Sequence, residues 1–132
     1  MLTDRTPAMT EERTEHFLTL DFEHGILRIA LVGPNVGQRE APIISEESMK
    51  TLRTLDKRVK AVVLDLTDVN VMSSMGLGFC IDLRNRAHKL KAKTFVVGMN
   101  RELRELFSMM KVERLFNLVS TRDDLDKALR NL

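Results

Sequence analysis

The chain of 132 residues is long enough for one domain with a real core, because 43% of its residues are hydrophobic. Lys and Arg number 21 against 19 Asp and Glu, and the two signs are interspersed, which argues against a nucleic-acid-binding surface. Trp and Tyr are absent, so stacking on single-stranded nucleic acid would depend on six scattered Phe. The single cysteine, Cys80, excludes an intramolecular disulfide, and with no signal peptide or long apolar segment the chain is predicted to be cytoplasmic.

The start of the chain is polar and lacks hydrophobic periodicity, so we predict a flexible tail over residues 1–15. One domain is expected over residues 16–132. Two short runs rich in apolar residues, 17–22 and 26–32, then lie on either side of a turn at residues 23–25. This pattern predicts a β-hairpin.

The hairpin is followed by a Gly- and Pro-containing stretch, residues 33–42, which we expect to be a bent, exposed loop. Ser45 is the predicted N-cap of the first helix, because Glu46 and Glu47 follow it where the helix dipole favours acidic residues. That helix is expected to end near Lys57 and to form a crossover to the next strand.

The next stretch, residues 60–78, carries the most information. Residues 61–66 form a nearly continuous apolar run, interrupted by Asp65, as expected of a strand buried on both faces. A helix follows the turn at residues 67–70, with a predicted core face. This face consists of Gly76, Cys80, Leu83, Ala87 and Leu90.

Two serines, Ser73 and Ser74, lie in the turn between this strand and this helix. Ligands of open α/β sheets collect at such carboxyl ends of strands, where helix amino termini favour negative charge. On spacing alone, the simplest interpretation is that one of the serines caps the helix. A chemical role remains the alternative.

The remaining elements alternate in the same way. A strand is predicted at residues 94–97, then a helix, a strand at residues 116–119, and a last helix with a capping box at Thr121 and Asp124. Met109 falls beside the apolar stripe of the first of these helices, and we assign it to the core rather than to a partner surface. The core positions of the two helices are Leu103, Leu106, Phe107 and Met110, then Leu125, Ala128, Leu129 and Leu132.

The stretch VVLDLTDVNVMSSMGLG resembles the signature of the STAS family, the anti-sigma factor antagonists. Two positions depart from the usual pattern, since Ser73 stands where the family has Asp and Met75 where it has Ser or Thr. The positions that match in register are Asp65, Leu66, Val69, Met72, Ser74, Gly76, Leu77 and Gly78. The resemblance and the alternation of elements together predict an α/β fold: a single STAS domain with a five-stranded mixed sheet, an N-terminal hairpin, β-α crossovers and about four helices mainly on one face.

The resemblance implies that the chain binds an anti-sigma factor serine kinase when unphosphorylated and is released on phosphorylation of Ser74, with Ser73 as the second candidate acceptor. Asp65 and Gly78 support the motif. A serine phosphatase and a second copy of the chain are further candidate partners, whereas nucleic acid and direct membrane insertion are not expected. The predicted partner surface consists of Ser73, Met75, Gly76, Leu77 and Phe79, because Leu77 and Phe79 leave the predicted core face of the helix. Packing of Phe79 under a neighbouring helix is an equal alternative.

Intrinsic catalysis is not expected. A nucleophile elbow needs Gly-x-Ser-x-Gly, and Met72 occupies the first glycine position. His88 lies roughly 20 Å along the helix from Ser74 at 1.5 Å per residue, and no phosphate-binding glycine loop is present. Neither a metal site nor a cofactor is predicted.

Two further functions stay open. The first is a permanent assembly subunit, as in stressosomes or lipid-transport complexes, and the second is a ligand-sensing module.

The altered motif has two effects on phosphorylation. Loss of the usual carboxylate at Ser73 eases the accommodation of phosphate but removes a group that orients the acceptor or magnesium, so the two effects on the phosphorylation rate oppose each other.

Overall fold

The computed structural model describes residues 17–132, so the predicted tail over residues 1–15 lies outside the described residues. Seven strands are present in this part of the chain: β1 (Leu18–Glu23), β2 (Ile26–Leu31), β3 (Asn35–Val36), β4 (Ala61–Asp65), β5 (Val71–Met72), β6 (Lys93–Val97) and β7 (Asn117–Val119). It also contains four α-helices: α1 (Glu40–Leu55), α2 (Ser74–Lys89), α3 (Arg101–Met109) and α4 (Arg122–Arg130). Short 3-10 turns at Asp56–Arg58 and Glu113–Leu115 complete the described chain.

The main sheet has five strands in the order β1-β2-β4-β6-β7. Strands β1 and β2 form the antiparallel hairpin, and each later pairing is parallel. The carboxyl ends of β2, β4, β6 and β7 therefore meet at one edge of the sheet, where all four described α-helices begin. Helices α3 and α4 follow β6 and β7 directly, whereas α1 and α2 follow the short strands β3 and β5. The predicted five-stranded mixed sheet is confirmed.

The helices divide unequally between the two faces of the sheet. The larger core cluster unites α1, α2 and α3 with the side chains of β4 and β6 that face them, such as Val62, Leu64 and Val96. The alternate residues of the same strands, such as Val63 and Phe95, pack with α4 on the opposite face. Three of the four described helices thus cover one face, as predicted.

The first helix begins earlier than predicted. It starts at Glu40 with Arg39 as N-cap residue, so Ser45 lies inside the helix and does not cap it. Pro42 falls in the first turn, where the missing N–H group costs no intrahelical hydrogen bond. The Gly37 N–H donates to Glu40 Oε1 at 2.9 Å, which closes the helix start.

The assignment of two methionines to the core is wrong. Helix α3 ends at Met109, and Met110 is its C-cap residue, so the apolar stripe stops at Phe107. Met109 is 71% exposed and Met110 is 52% exposed. Leu132, placed in the core of the last helix, also lies beyond the end of α4 and is exposed.

Candidate functional site: the serine turn between β5 and α2

We name the connection from β5 into α2, which contains Ser73 and Ser74, the serine turn. It is held in place by a two-stranded ribbon that was not predicted from the sequence. Strand β3 pairs in parallel with β5, with Val36 opposite Met72. The Ser73 N–H donates to the Val36 carbonyl oxygen at 2.9 Å. The chain therefore enters α2 from a fixed backbone position rather than from a free loop.

Ser73 and Ser74 have different environments. Ser73 is the N-cap of α2: its backbone is extended, and its Oγ accepts a hydrogen bond from the Gly76 N–H at 3.3 Å. Ser74 is the first helical residue and is exposed. Within residues 17–132, no group hydrogen-bonds its hydroxyl. The prediction that one serine caps the helix is confirmed for Ser73.

The charge distribution along α2 favours an anion at the amino terminus of this helix, where the two serines lie. The first turn carries no acidic residue, and the last turn carries Arg86, His88 and Lys89. Unpaired N–H groups at a helix amino terminus carry a partial positive charge, which stabilises a nearby anion by about 0.3–1 kcal/mol at exposed sites. A phosphate on Ser74 would meet this charge without a like charge in the first turn.

The two glycines of the motif differ in what surrounds them. A Cβ on Gly76 would lie 2.5 Å from Met72 Cγ and 2.7 Å from the Val36 carbonyl oxygen, so only glycine lets α2 approach β3 this closely. A Cβ on Gly78 would meet nothing within 4 Å. Packing inside the described chain therefore requires glycine at position 76 and not at position 78.

The predicted exposure of Leu77 is wrong, and of the two interpretations of Phe79 the structure confirms packing inside the domain. Leu77 and Phe79 are 4% and 3% exposed and belong to the larger core cluster, because α2 packs against α1 as well as against the sheet. Two other apolar residues flank the serines at the surface: Val71 is 46% exposed and Met75 is 45% exposed. Val71 was not predicted, since an apolar residue before a turn gives no sign of which way it faces.

The side chain of Asp65 lies on the face of the sheet that α4 covers, opposite to the face covered by α2. Its Oδ1 accepts from the Thr67 N–H at 2.9 Å and from the Thr67 hydroxyl at 2.5 Å. Its Oδ2 lies 3.5 Å from Arg122 NH2 in the first turn of α4. Because side chains alternate along a strand, Asp65 points to the α4 side with Val63, away from α2. Its contacts are those of a residue that fixes the strand end.

Asn100 was missed by sequence reasoning. Its Oδ1 accepts from the Leu103 N–H at 2.8 Å as the N-cap of α3, while its Nδ2 donates to the Asn70 carbonyl oxygen at 3.0 Å. One side chain thus joins the start of α3 to the chain segment that leads into the serine turn. An Asn directly before a helical stripe is the signal that could have identified the cap.

Cys80 lies beneath the turn, fully buried, with its sulfur 3.9 Å from Met72 Sδ. Burial raises the pKa of this thiol to about 12, because desolvation disfavours the thiolate. We therefore expect a thiol-specific probe to leave Cys80 unmodified in the folded protein and to react rapidly in urea. The measurement is mass spectrometry after timed labelling, and rapid labelling without urea would contradict this burial.

The same pKa shift links Cys80 to stability. The unfolded thiol ionises near its ordinary value of 9.0 and the folded one near 12, so folding favours the protonated form. The contribution of this group is complete below pH 9.0 and is lost as the pH rises towards 12. Urea melts of the wild type and of Cys80→Ala at increasing pH should converge over this range.

The STAS domain family matches residues 26–128, which is more than three quarters of the chain. The chain belongs to the STAS family. This match includes the serine turn, both glycines of the motif and the start of every described α-helix. A search of curated protein sequences finds no significant match.

Several solved structures share the fold at low sequence identity. An anti-sigma factor antagonist from Mycobacterium paratuberculosis has a TM-score of 0.73 and 20% identity over 86% of this chain and 92% of its own. The phosphorylated form of the Bacillus cell fate determinant SpoIIAA has a TM-score of 0.65 and 12% identity over 84% and 98% of the two chains. The murine anion transporter Slc26a9 has a TM-score of 0.72 and 13% identity, with 100% of this chain covering 21% of the transporter.

These similarities establish the fold and show that it occurs both in anti-sigma factor antagonists and as a part of a larger transporter. No helix within residues 17–132 has the length and apolar character needed to cross a membrane. In the same range, no group of three or more His, Cys, Asp or Glu side chains is placed to hold a metal ion.

Proposed function

We propose that this STAS protein is an anti-sigma factor antagonist that works by partner switching, with Ser74 as the phosphoacceptor. The observation that carries the proposal is that the two serine hydroxyls have different environments. The Ser73 hydroxyl caps α2, whereas the Ser74 hydroxyl is exposed and has no hydrogen-bond partner among residues 17–132. A serine kinase can reach Ser74 without undoing the helix cap.

The comparisons support the proposal at the level of the fold. Solved proteins of similar structure are named as anti-sigma factor antagonists, and SpoIIAA has been solved in both unphosphorylated and phosphorylated forms. The exposed Ser74 at the start of α2 gives this chain a place to carry a phosphate.

The switch rests on a change of charge at a partly apolar surface. Phosphorylation adds about −1.5 to −2 charges and three acceptor oxygens. The amino terminus of α2 stabilises this charge within the molecule. A partner docked on Met75 and Val71 would have to desolvate it, so phosphorylation weakens binding.

The substitution of the usual Asp by Ser73 is compatible with this mechanism. Ser and Asp are both strong N-cap residues, and Ser73 makes the cap hydrogen bond to Gly76. The neutral side chain also removes a negative charge beside the acceptor. We propose that the cap is the function retained at position 73.

The proposed partner is an anti-sigma factor with serine kinase activity, which supplies the chemistry of phosphoryl transfer, so the chain itself is not an enzyme. A serine phosphatase would reset the switch, and a homodimer is a further candidate assembly. The proposed binding surface is formed by the exposed residues Val71, Ser74 and Met75, together with the half-buried Ser73. The buried residues Gly76, Leu77 and Phe79 shape this surface from below.

Phosphate mapping tests the proposal. The wild type, Ser73→Ala and Ser74→Ala are incubated with ATP and a purified anti-sigma factor serine kinase that binds the chain, and the phosphate is located by mass spectrometry. We expect phosphate on Ser74 in the wild type and in Ser73→Ala, and none in Ser74→Ala. Phosphorylated protein should bind the kinase at least about tenfold more weakly, since a desolvated charge of this kind costs several kcal/mol.

Denaturant melts provide the control for the same variants. Ser73→Ala should lose about 0.5–2 kcal/mol through loss of the cap, whereas Ser74→Ala should stay within about 0.5 kcal/mol of the wild type. Phosphate that persists in Ser74→Ala and disappears in Ser73→Ala would reverse the assignment of the acceptor.

A permanent assembly subunit is the second candidate function. It is favoured by the two departures from the motif, Ser73 and Met75, and by the occurrence of the fold as 21% of the Slc26a9 chain. In this role the same surface would bind its partner without a phosphorylation cycle. Absence of phosphate from every variant, with tight kinase-independent assembly, would support it.

A further inference from the structure

The fold gathers basic residues at the end of the domain opposite the serine turn. Two connections, residues 53–60 and residues 86–93, lead into the neighbouring strands β4 and β6. Together they contain eight Lys or Arg residues and one acidic residue, Asp56. Because Ala61 lies opposite Lys93 in the sheet, the two connections are adjacent. We name this surface the basic pole. Its basic residues are Arg53, Lys57, Arg58, Lys60, Arg86, Lys89, Lys91 and Lys93, and all are exposed.

Exposed methionines lie at the same end. Helix α3 starts at the serine-turn end, where Asn100 binds Asn70, and so finishes at the basic pole. Arg84 of α2 donates through Nε to the Leu115 carbonyl oxygen at 3.0 Å, which holds the segment after α3 beside the second half of α2. Met109 and Met110, at the carboxyl end of α3, are therefore exposed at this end of the domain.

The opposite end of the domain has the reverse charge. The segments at the carboxyl edge of the sheet, residues 39–40, 65–70, 101–105 and 122–124, carry seven acidic and four basic residues. The small net charge of +2 is therefore compatible with two ends of the domain that carry opposite charge. Ion pairs between described side chains, at Arg39, Arg101 and Arg122, also lie at that edge, and none involves the basic pole.

Helix dipoles account for part of this pattern and not for all of it. A dipole favours cations in the last turn of a helix, and Arg58 also donates to the carbonyl oxygens of Thr54 and Leu55 at the end of α1. Lys60, Lys91 and Lys93 lie beyond the last helical turns. The Lys91 N–H donates to the His88 carbonyl oxygen at 2.9 Å at the end of α2, but the charged ammonium groups of these three residues cap no helix among the described residues. Their clustering concentrates positive charge that the fold itself does not use.

We propose that the basic pole docks the protein on an anionic phospholipid surface, as a peripheral contact without insertion of a helix. Flexible lysines on an exposed face complement anionic headgroups, and the exposed methionines at the same end of the domain supply apolar contacts at the interface. A nucleic acid would match the charge and leave Met109 and Met110 without a role. The inference is independent of phosphorylation at Ser74.

This arrangement determines the orientation of the bound protein. Because the basic pole and the serine turn lie at opposite ends of the parallel strands, the domain on a membrane presents Ser74 and Met75 outward. A partner can then reach the serine turn while the opposite end stays attached. Membrane attachment and partner binding use separate surfaces.

Vesicle co-sedimentation tests the proposal. The probes are vesicles of phosphatidylcholine alone and of an equimolar mixture of phosphatidylglycerol and phosphatidylcholine. We expect the full chain to bind the mixed vesicles only, with affinity that falls as salt is added. The triple variant Lys57→Gln, Lys89→Gln, Lys93→Gln should bind at least about tenfold more weakly. The double variant Met109→Ser, Met110→Ser should also bind more weakly, with an unchanged salt dependence.

A matched control removes the same number of charges from the other end: Arg39→Gln, Arg101→Gln, Arg104→Gln. This variant should bind the mixed vesicles like the wild type, and circular dichroism should show that all variants fold. The proposal is overturned if the wild type does not bind the mixed vesicles, or if the control loses as much affinity as the basic-pole variant. Tight binding of duplex DNA together with no binding to vesicles would overturn it in favour of nucleic acid.

Discussion

Replacing Leu77 by Glu is expected to unfold the domain. Leu77 is almost completely buried in the core cluster that joins α1, α2 and the sheet, so the new carboxylate would have no water and no partner. Truncation of a buried leucine alone costs about 2–5 kcal/mol, and a buried charge adds to this. The total is comparable with the whole stability of a small domain, about 5–15 kcal/mol. Circular dichroism and urea melts measure the loss.

Met75→Glu is the matched control, because Met75 lies two residues earlier on the same helix and is about half exposed. Its melt should stay within about 0.5 kcal/mol of the wild type, while its affinity for the proposed kinase partner falls. A folded Leu77→Glu protein that loses only partner binding would restore the sequence-based view that Leu77 lies at the partner surface.

Gly76→Ala is expected to be the most damaging of the methyl-sized changes in the serine turn. The added Cβ would lie 2.7 Å from a backbone oxygen of β3, which cannot move without breaking the ribbon that holds the turn. Overpacking of this kind costs about 1–3 kcal/mol, more than the gain in helix propensity of about 1 kcal/mol. The partner surface should also be displaced, because Met75 is adjacent to the strained residue and the Ser73 hydroxyl accepts a hydrogen bond from its N–H.

Gly78→Ala should stabilise the domain, whereas Gly76→Ala should destabilise it. The added Cβ meets nothing within 4 Å, so the variant gains helix propensity, up to about 1 kcal/mol, without a steric penalty. Paired urea melts of the two variants, with the wild type as reference, measure the difference between them. Equal effects at the two positions would show that the close approach of α2 and β3 is not maintained in solution.

Sequence reasoning identified the strand at β4, the helix at α2 and the capping serine because each depends on local properties. A continuous apolar run, a helical period and an N-cap preference act over a few residues, so they can be read from the sequence directly. The ribbon of β3 and β5 was not found, because it joins two-residue segments 36 positions apart. No periodicity can be recognised in two residues.

The sequence by itself determined the order of the main-sheet strands and the helices, the position of the serines at the start of α2 and the absence of an intramolecular disulfide. Tertiary structure alone decided which residues of α2 are exposed, because a helix that packs on both α1 and the sheet buries more than the single face that periodicity marks. It also decided the separation of charge, since parallel strands bring the ends of distant helices together at one pole. Both properties depend on contacts between residues far apart in sequence, which a local pattern cannot encode.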